Sequence, residues 1–155
     1  MTAVNPEPVR LGQGVFWQDL VVGQRFQTLR RTITETDLVN FISVTGMLEA
    51  IFIDAAFEGA AMAGRAVPAA LTQGLIEGLL FQTMIQGTGL ALLEMSLRTH
   101  SPVVVGDTIW GLVTVTAIRP TSKSNRAVVD SRVDVYNARS ELVLKYDVKR
   151  LLAGR

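Results

Sequence analysis

Residues 69–86 read AALTQGLIEGLLFQTMIQ, and the reading of this stretch decides the fold. Leu71, Leu75, Leu79 and Gln82 recur at helical spacing. Ile76, Leu80, Phe81, Met84 and Ile85 fill most of the remaining circumference. A helix that is apolar on most of its sides belongs in a core. The run is long enough for a bilayer, but Gln73, Glu77, Gln82 and Gln86 interrupt it, which argues against a membrane span. Pro68 suits the position before the first turn, where a missing N–H costs nothing, and Gly87 and Gly89 suit the end. Gly74 and Gly78 lie four apart on one face. Each costs about 1 kcal/mol of helix propensity, so a close backbone neighbour is expected there.

Downstream of this helix the periodicity changes to that of sheet. Residues 90–99 (LALLEMSLRT) are apolar almost throughout, which predicts a central strand under the helix. Ser101-Pro102 and Gly106-Asp107 mark a turn. Residues 108–119 alternate Ile109, Val113 and Val115 against Thr114 and Thr116. Residues 126–136 place Ala127, Val129, Val133 and Val135 inward, with Asp130, Arg132 and Asp134 outward. Residues 141–152 alternate Leu142, Leu144, Tyr146 and Val148 against Lys145, Asp147 and Lys149. Polar turns at 120–125 and 137–140 separate these strands.

Upstream, residues 1–15 hold two prolines and read as an extended arm preceding a single domain over 16–155. Residues 25–34 alternate weakly, as an edge strand with a wet face does. Thr34 followed by Asp37 forms a capping-box pattern with Asp in place of the usual Glu or Gln. A short amphipathic helix then runs to Gly46. Residues 55–63 (AAFEGAAMA) predict a second short helix, with Asp54 as its N-cap. The order is strand, short helices, long helix, four antiparallel strands. It fits an α+β domain of the hotdog type, a curved antiparallel sheet of about five strands wrapped around one long central helix.

Four stretches together resemble the MaoC-like (R)-specific enoyl-CoA hydratase/dehydratase family of hotdog proteins. They are 16–26 (FWQDLVVGQRF), 34–46 (TETDLVNFISVTG), 67–75 (VPAALTQGL) and the 102–108 turn (PVVVGDT). The resemblance covers 16–152. It implies a protein that binds an acyl thioester, enoyl-CoA or hydroxyacyl-CoA, with backbone N–H groups at the helix start polarising the thioester carbonyl. Family members that hydrate such thioesters carry an Asp after the Thr-Gly and a His shortly beyond, because water addition needs two groups of suitable pKa at one site.

In this chain the matching positions hold Met47 and Phe52, and neither side chain can transfer a proton. Ala69 occupies the place of the helix-entry Gly and keeps its N–H. The resemblance therefore assigns substrate contacts to Met47, Phe52, Pro68, Ala69 and Ala70 and leaves the catalytic residues open, with Glu49 and Asp54 as possible substitutes. Three readings stay open: a thioester-binding protein of the family with hydratase or dehydratase chemistry, a catalytically silent subunit of a hetero-oligomeric hydratase, and a hotdog thioesterase using Glu77 or Asp54 to activate water. His100 and Asp107 read as structural residues, and Met62 and Met84 as pocket or core packing.

Composition bounds the remaining classes. The 155 residues are 48% hydrophobic and 19% charged, with a net charge of +1. A nucleic-acid binder would show a basic stripe, and none is present. There is no cysteine and a single histidine, so no disulfide framework, thiol chemistry or His-rich metal site is expected. The start, MTAVNPEPVR, lacks the pattern of a signal peptide, and a cytoplasmic protein without metal or cofactor is expected. The apolar surplus predicts a homodimer or larger homo-oligomer, or pairing with a second hotdog subunit.

Overall fold

The computed structural model describes residue 8 and residues 10–155. Most of the expected arm, 1–7 and 9, lies outside these residues. The elements follow the order β1 (Arg25–Gln27), β2 (Arg31–Thr32), α1 (Glu35–Thr45), α2 (Ala50–Ile53), α3 (Ala69–Phe81), β3 (Gly89–Thr99), β4 (Thr108–Pro120), β5 (Arg126–Asn137) and β6 (Leu142–Ala153). All six strands form one sheet of order β1-β4-β5-β6-β3, with β2 also on β4, and every pairing is antiparallel.

The alternation read for 126–136 holds, and that for 141–152 holds from Leu144 onward, while a bulge at its start puts Val143 rather than Leu142 in the core. Val133, Val135, Leu144, Tyr146 and Val148 point into the core, where they meet Leu71, Ile76 and Leu80 of α3. One expected strand over 25–34 is two. Thr28 donates its N–H to the Gly111 carbonyl at 2.9 Å, and its hydroxyl accepts from the Gly111 N–H at 2.8 Å. This pair takes the ladder's place there, and Leu29 is thrown outward between β1 and β2. The sheet thus has six strands rather than about five.

The central helix is shorter than its periodicity suggests. It runs 13 residues and closes at Gln82. Beyond it the chain continues in turns: the Ile85 N–H reaches the Leu80 carbonyl at 3.0 Å, the Thr83 hydroxyl donates to the Leu79 carbonyl at 2.7 Å, and Gly87 takes φ +72°. Met84 and Ile85 still face the core, so the apolar pattern outlasts the helix. The second short helix is also displaced. The chain is helical over Ala50–Ile53, and 55–63 is a succession of turns and bends.

Two further expectations are corrected. The apolar strand over 90–99 is not central: β3 is an edge strand, paired with β6 alone, and Leu92 and Leu93 are 58% and 53% exposed. No backbone approaches Gly74 or Gly78, since a Cβ on either would meet nothing within 4 Å. The close backbone contact falls instead at Gly14. Its N–H donates to Gln86 and that of Val15 to Met84, both at 2.8 Å, so the entering chain lies directly on the turns that follow α3.

Helix α1 starts as read. Thr34 accepts from the Asp37 N–H at 3.2 Å, and Asp37 returns a 2.8 Å contact to the Thr34 N–H, which satisfies two of the donors a helix start leaves free. Gly46 ends it in left-handed conformation at φ +73°.

Candidate functional site

The 102–108 turn fixes where α3 begins. Asp107 accepts the Val104 N–H at 2.9 Å through its carboxylate, as a structural turn Asp does. The Val67 N–H donates to the Val103 carbonyl at 2.9 Å, and Ala66 bridges to Val104. The segment before α3 is thereby stitched to the turn, and Pro68 launches the helix. The Leu71 and Thr72 N–H groups both turn back to the Pro68 carbonyl, at 3.0 and 3.1 Å. The Ala69 and Ala70 N–H groups have no protein partner among the described residues. Such free donors at a helix start suit a carbonyl oxygen or an anion.

A cavity of about 440 Å³ opens beside this helix start. Its walls come from α2, the α3 start, the end of β3, the 101–103 turn and β6. Phe52, Pro68 and Ala69 line it, as does Met62. Met47 and Ala70 lie outside the lining. Met47 follows Gly46 at the end of α1 and is partly exposed, and Ala70 is exposed. Phe52 is further held by Arg65, which donates to its carbonyl at 2.5 Å and pairs with Glu35 at 2.6 Å.

The two candidate substitutes point elsewhere. Glu49 accepts from the Ala50 N–H at 3.1 Å, at the start of α2. Asp54 accepts from the Ala56 N–H at 2.9 Å in a local turn; it is not the N-cap expected of it, because 55–63 is not helical, and instead it closes α2 with its own N–H on the Ala50 carbonyl. His100, read from sequence as structural, is the single ionisable side chain in the cavity wall. Thr72 lines the same wall and is 1% exposed. The sequence offers no signal for His100. Thr72 stands one turn along from Ala69 on the helix read from sequence, but the cavity it lines is formed by β3, β6 and the 101–103 turn, which the sequence does not bring to it.

Glu77 sits in a second cavity of about 430 Å³, between α3 and the exposed β3 edge. Its carboxylate accepts from the Tyr146 hydroxyl at 2.6 Å and from Arg150 at 2.5 Å. Burial, then the charge and hydrogen bond of Glu77, hold the Tyr146 hydroxyl well above its ordinary range, so it remains a donor. Among the described residues no cluster of His, Asp or Glu is placed to hold a metal ion.

A family model described as FAS1-like, dehydratase domain region, matches residues 20–146. The chain belongs to that family. Among solved structures, the MaoC-like dehydratase from Rhodospirillum rubrum is similar at 26% identity and a TM-score of 0.78, over 92% of this chain and 99% of that one. The (R)-hydratase PhaJ1 from Pseudomonas aeruginosa shares the fold at 24% identity and a TM-score of 0.77, over 92% and 88%. A double-hotdog protein from Mycobacterium tuberculosis matches at 20% identity and a TM-score of 0.79, over 95% of this chain and 46% of that one. No curated protein matches the sequence. The resemblance read in the four motifs is therefore sound at the level of family and of hotdog fold. No described helix of this family member is long and apolar enough to cross a membrane.

Proposed function

We propose that this MaoC-like protein binds an acyl thioester, with the carbonyl at the free N–H groups of the α3 start and the acyl chain in the adjoining cavity. The observation that carries the reading is the juxtaposition of unpaired helix-start donors with an apolar pocket. Polar donors fix the thioester and apolar walls take the chain, the usual division of labour in small-molecule sites. Hydration or dehydration by the family's Asp/His pair does not follow, because Met47 and Phe52 occupy those positions and Glu49 and Asp54 are engaged in local backbone bonds. The same observation favours a second reading, a silent subunit that shapes the acyl site for a dyad-bearing hotdog partner. A thioesterase role for Glu77 gains no support, since its carboxylate is already tied to Tyr146 and Arg150 in a different cavity.

The test is to mix the purified protein with a short- and a medium-chain trans-2-enoyl-CoA, measuring binding by calorimetry and enoyl absorbance over time, with a dyad-bearing hydratase as control. Binding with no absorbance loss above buffer is expected. Absence of binding would sink the acyl-thioester reading, and steady turnover would show that other groups have replaced the dyad.

A second copy of the chain is the proposed occupant of the β3 edge. Leu90 and Leu92 there and Phe81 of α3 are exposed and line the Glu77 cavity, and Leu93 and the Gly74–Gly78 positions of α3 are likewise uncovered. An exposed apolar edge strand is a pairing surface unless something covers it. Light scattering after size exclusion should give a dimer or larger at micromolar concentration, and a monomer would overturn this assignment.

A further inference from the structure

We infer that residues 47–63 form a lid on the cavity at the α3 start, and that Arg65 is the positioning residue that latches this lid and so sets how much the site gains from a longer acyl chain. The inference rests on the acyl-thioester reading above.

The segment is bounded by two left-handed glycines, Gly46 at φ +73° and Gly64 at φ +92°. No residue between them is buried. Met47, Leu48, Ile53 and Phe57 are exposed, and of the whole segment Phe52 alone packs against the core. Its hydrogen bonds are equally local. The Met47 and Leu48 N–H groups turn back to Thr45 and Gly46, and those of Phe52, Ile53, Asp54 and Phe57 find acceptors at Glu49, Ala50 and Asp54. Among the described residues, no N–H or C=O group of 47–63 meets main chain beyond Gly46 on one side or the segment itself on the other. A stretch with no buried residue and only local bonds opens far more readily than the core.

One side chain ties it down. Arg65 donates to the Phe52 carbonyl at 2.5 Å and to Glu35, in the first turn of α1, at 2.6 Å. Its own backbone is fixed to the 102–108 turn, since its carbonyl accepts the Val105 N–H at 2.9 Å and the next residue, Ala66, bridges to Val104. The latch is thus mounted on the fixed frame and grips the lid in α2. Ile51, Phe52 and Met62 are the lid's share of the cavity wall. They supply apolar surface beyond the carbonyl end of the site at Pro68 and Ala69, so the methylenes of an acyl chain bury against a wall that Arg65 holds in place. A wall ordered before the ligand arrives costs less than one that must be ordered on binding.

The experiment combines amide hydrogen exchange with titration calorimetry on acetyl-CoA and hexanoyl-CoA, for the wild-type chain, Arg65→Met and Arg65→Lys. In ligand-free wild type the Phe52, Ile53, Asp54 and Phe57 amides should exchange about a hundredfold or more faster than those of β5, and hexanoyl-CoA should slow them about tenfold. Wild type should bind hexanoyl-CoA about tenfold or more tightly than acetyl-CoA. Arg65→Met should speed the lid amides about tenfold, leave those of β5 unchanged, and weaken hexanoyl-CoA about tenfold with little effect on acetyl-CoA. Arg65→Lys, which can hold one of the two acceptors, should fall between. A residue with a merely structural role would speed the β5 amides and weaken both ligands alike. Lid amides as slow as those of β5, or equal losses for both ligands in Arg65→Met, overturn the inference and leave the acyl-thioester reading standing. If neither ligand binds, both fall.

Discussion

Glu77 of α3 and Arg150 of β6 meet at 2.5 Å with their side chains only 12% and 9% exposed, and Tyr146 adds a third group to the same carboxylate oxygen. The pair fastens the central helix to the sheet from 73 residues away. Removing one partner from a buried pair strands the other charge away from water, a larger penalty than the pair's own net contribution. Glu77→Leu should therefore destabilise by about 3–5 kcal/mol in urea unfolding, and Glu77→Leu with Arg150→Met should recover most of that loss. A cost below about 1 kcal/mol for the single variant would mean that the pair does not hold the helix.

The open face of α3 gives a substitution whose sign depends on assembly. With nothing within 4 Å of a Cβ at Gly74 or Gly78, alanine fits the isolated chain and should add about 1 kcal/mol of helix stability at each position. If a second copy packs there, the same methyl groups stand between the two surfaces. Gly74→Ala with Gly78→Ala should raise the melting temperature of dilute protein and raise the concentration at which the dimer dissociates. Both are measurable by thermal unfolding and by light scattering on dilution.

The α1 cap should impose a pH dependence. Burial opposes ionisation of Asp37, but the backbone and hydroxyl bonds to Thr34 and the 2.7 Å pairing with Arg31 outweigh it and hold the carboxyl below its ordinary value. The native state then binds this proton less readily than the unfolded state. Its stabilisation is complete above the unfolded pKa, about 3.9, and is lost as pH falls through the lower native value. Asp37→Asn should flatten this part of the acid limb in stability–pH profiles. Thr34→Ala should cost about 1 kcal/mol at neutral pH by removing the cap.

Gly14 offers a steric test. A Cβ there would stand 2.6 Å from the Gln86 backbone nitrogen and 2.7 Å from the Met84 carbonyl oxygen. Gly14→Ala must push the entering segment off the turns after α3. It should cost about 1–3 kcal/mol, the range for overpacking, and speed hydrogen exchange at the Gly14 and Val15 amides. An unchanged exchange rate would show that the segment can shift without losing these bonds.

Sequence alone determined what depends on near neighbours. The Thr34–Asp37 box, the helix end at Gly46 and the Asp107 turn each need partners within a few residues, and all three stand as read. The alternation of β5 and β6 needed only the two-residue period of a strand. The four motifs placed the chain in its family.

Tertiary structure decided what depends on strand order and on distant partners. An apolar run such as 90–99 records that a strand is covered, not by what, so β3 read as central although it lies at an edge where another molecule can cover it. Met84 and Ile85 prolonged the apparent helix because burial and helicity are separate properties, and a turn can bury a side chain as well as a helix can. The site followed the same division. Of the substrate contacts that the resemblance implied, Phe52, Pro68 and Ala69 line the cavity at the α3 start and Met47 and Ala70 do not, and His100 and Thr72 line it with them only because the end of β3 meets the start of α3. Periodicity says which way a side chain faces along its own element; what it faces is set when the chain closes on itself.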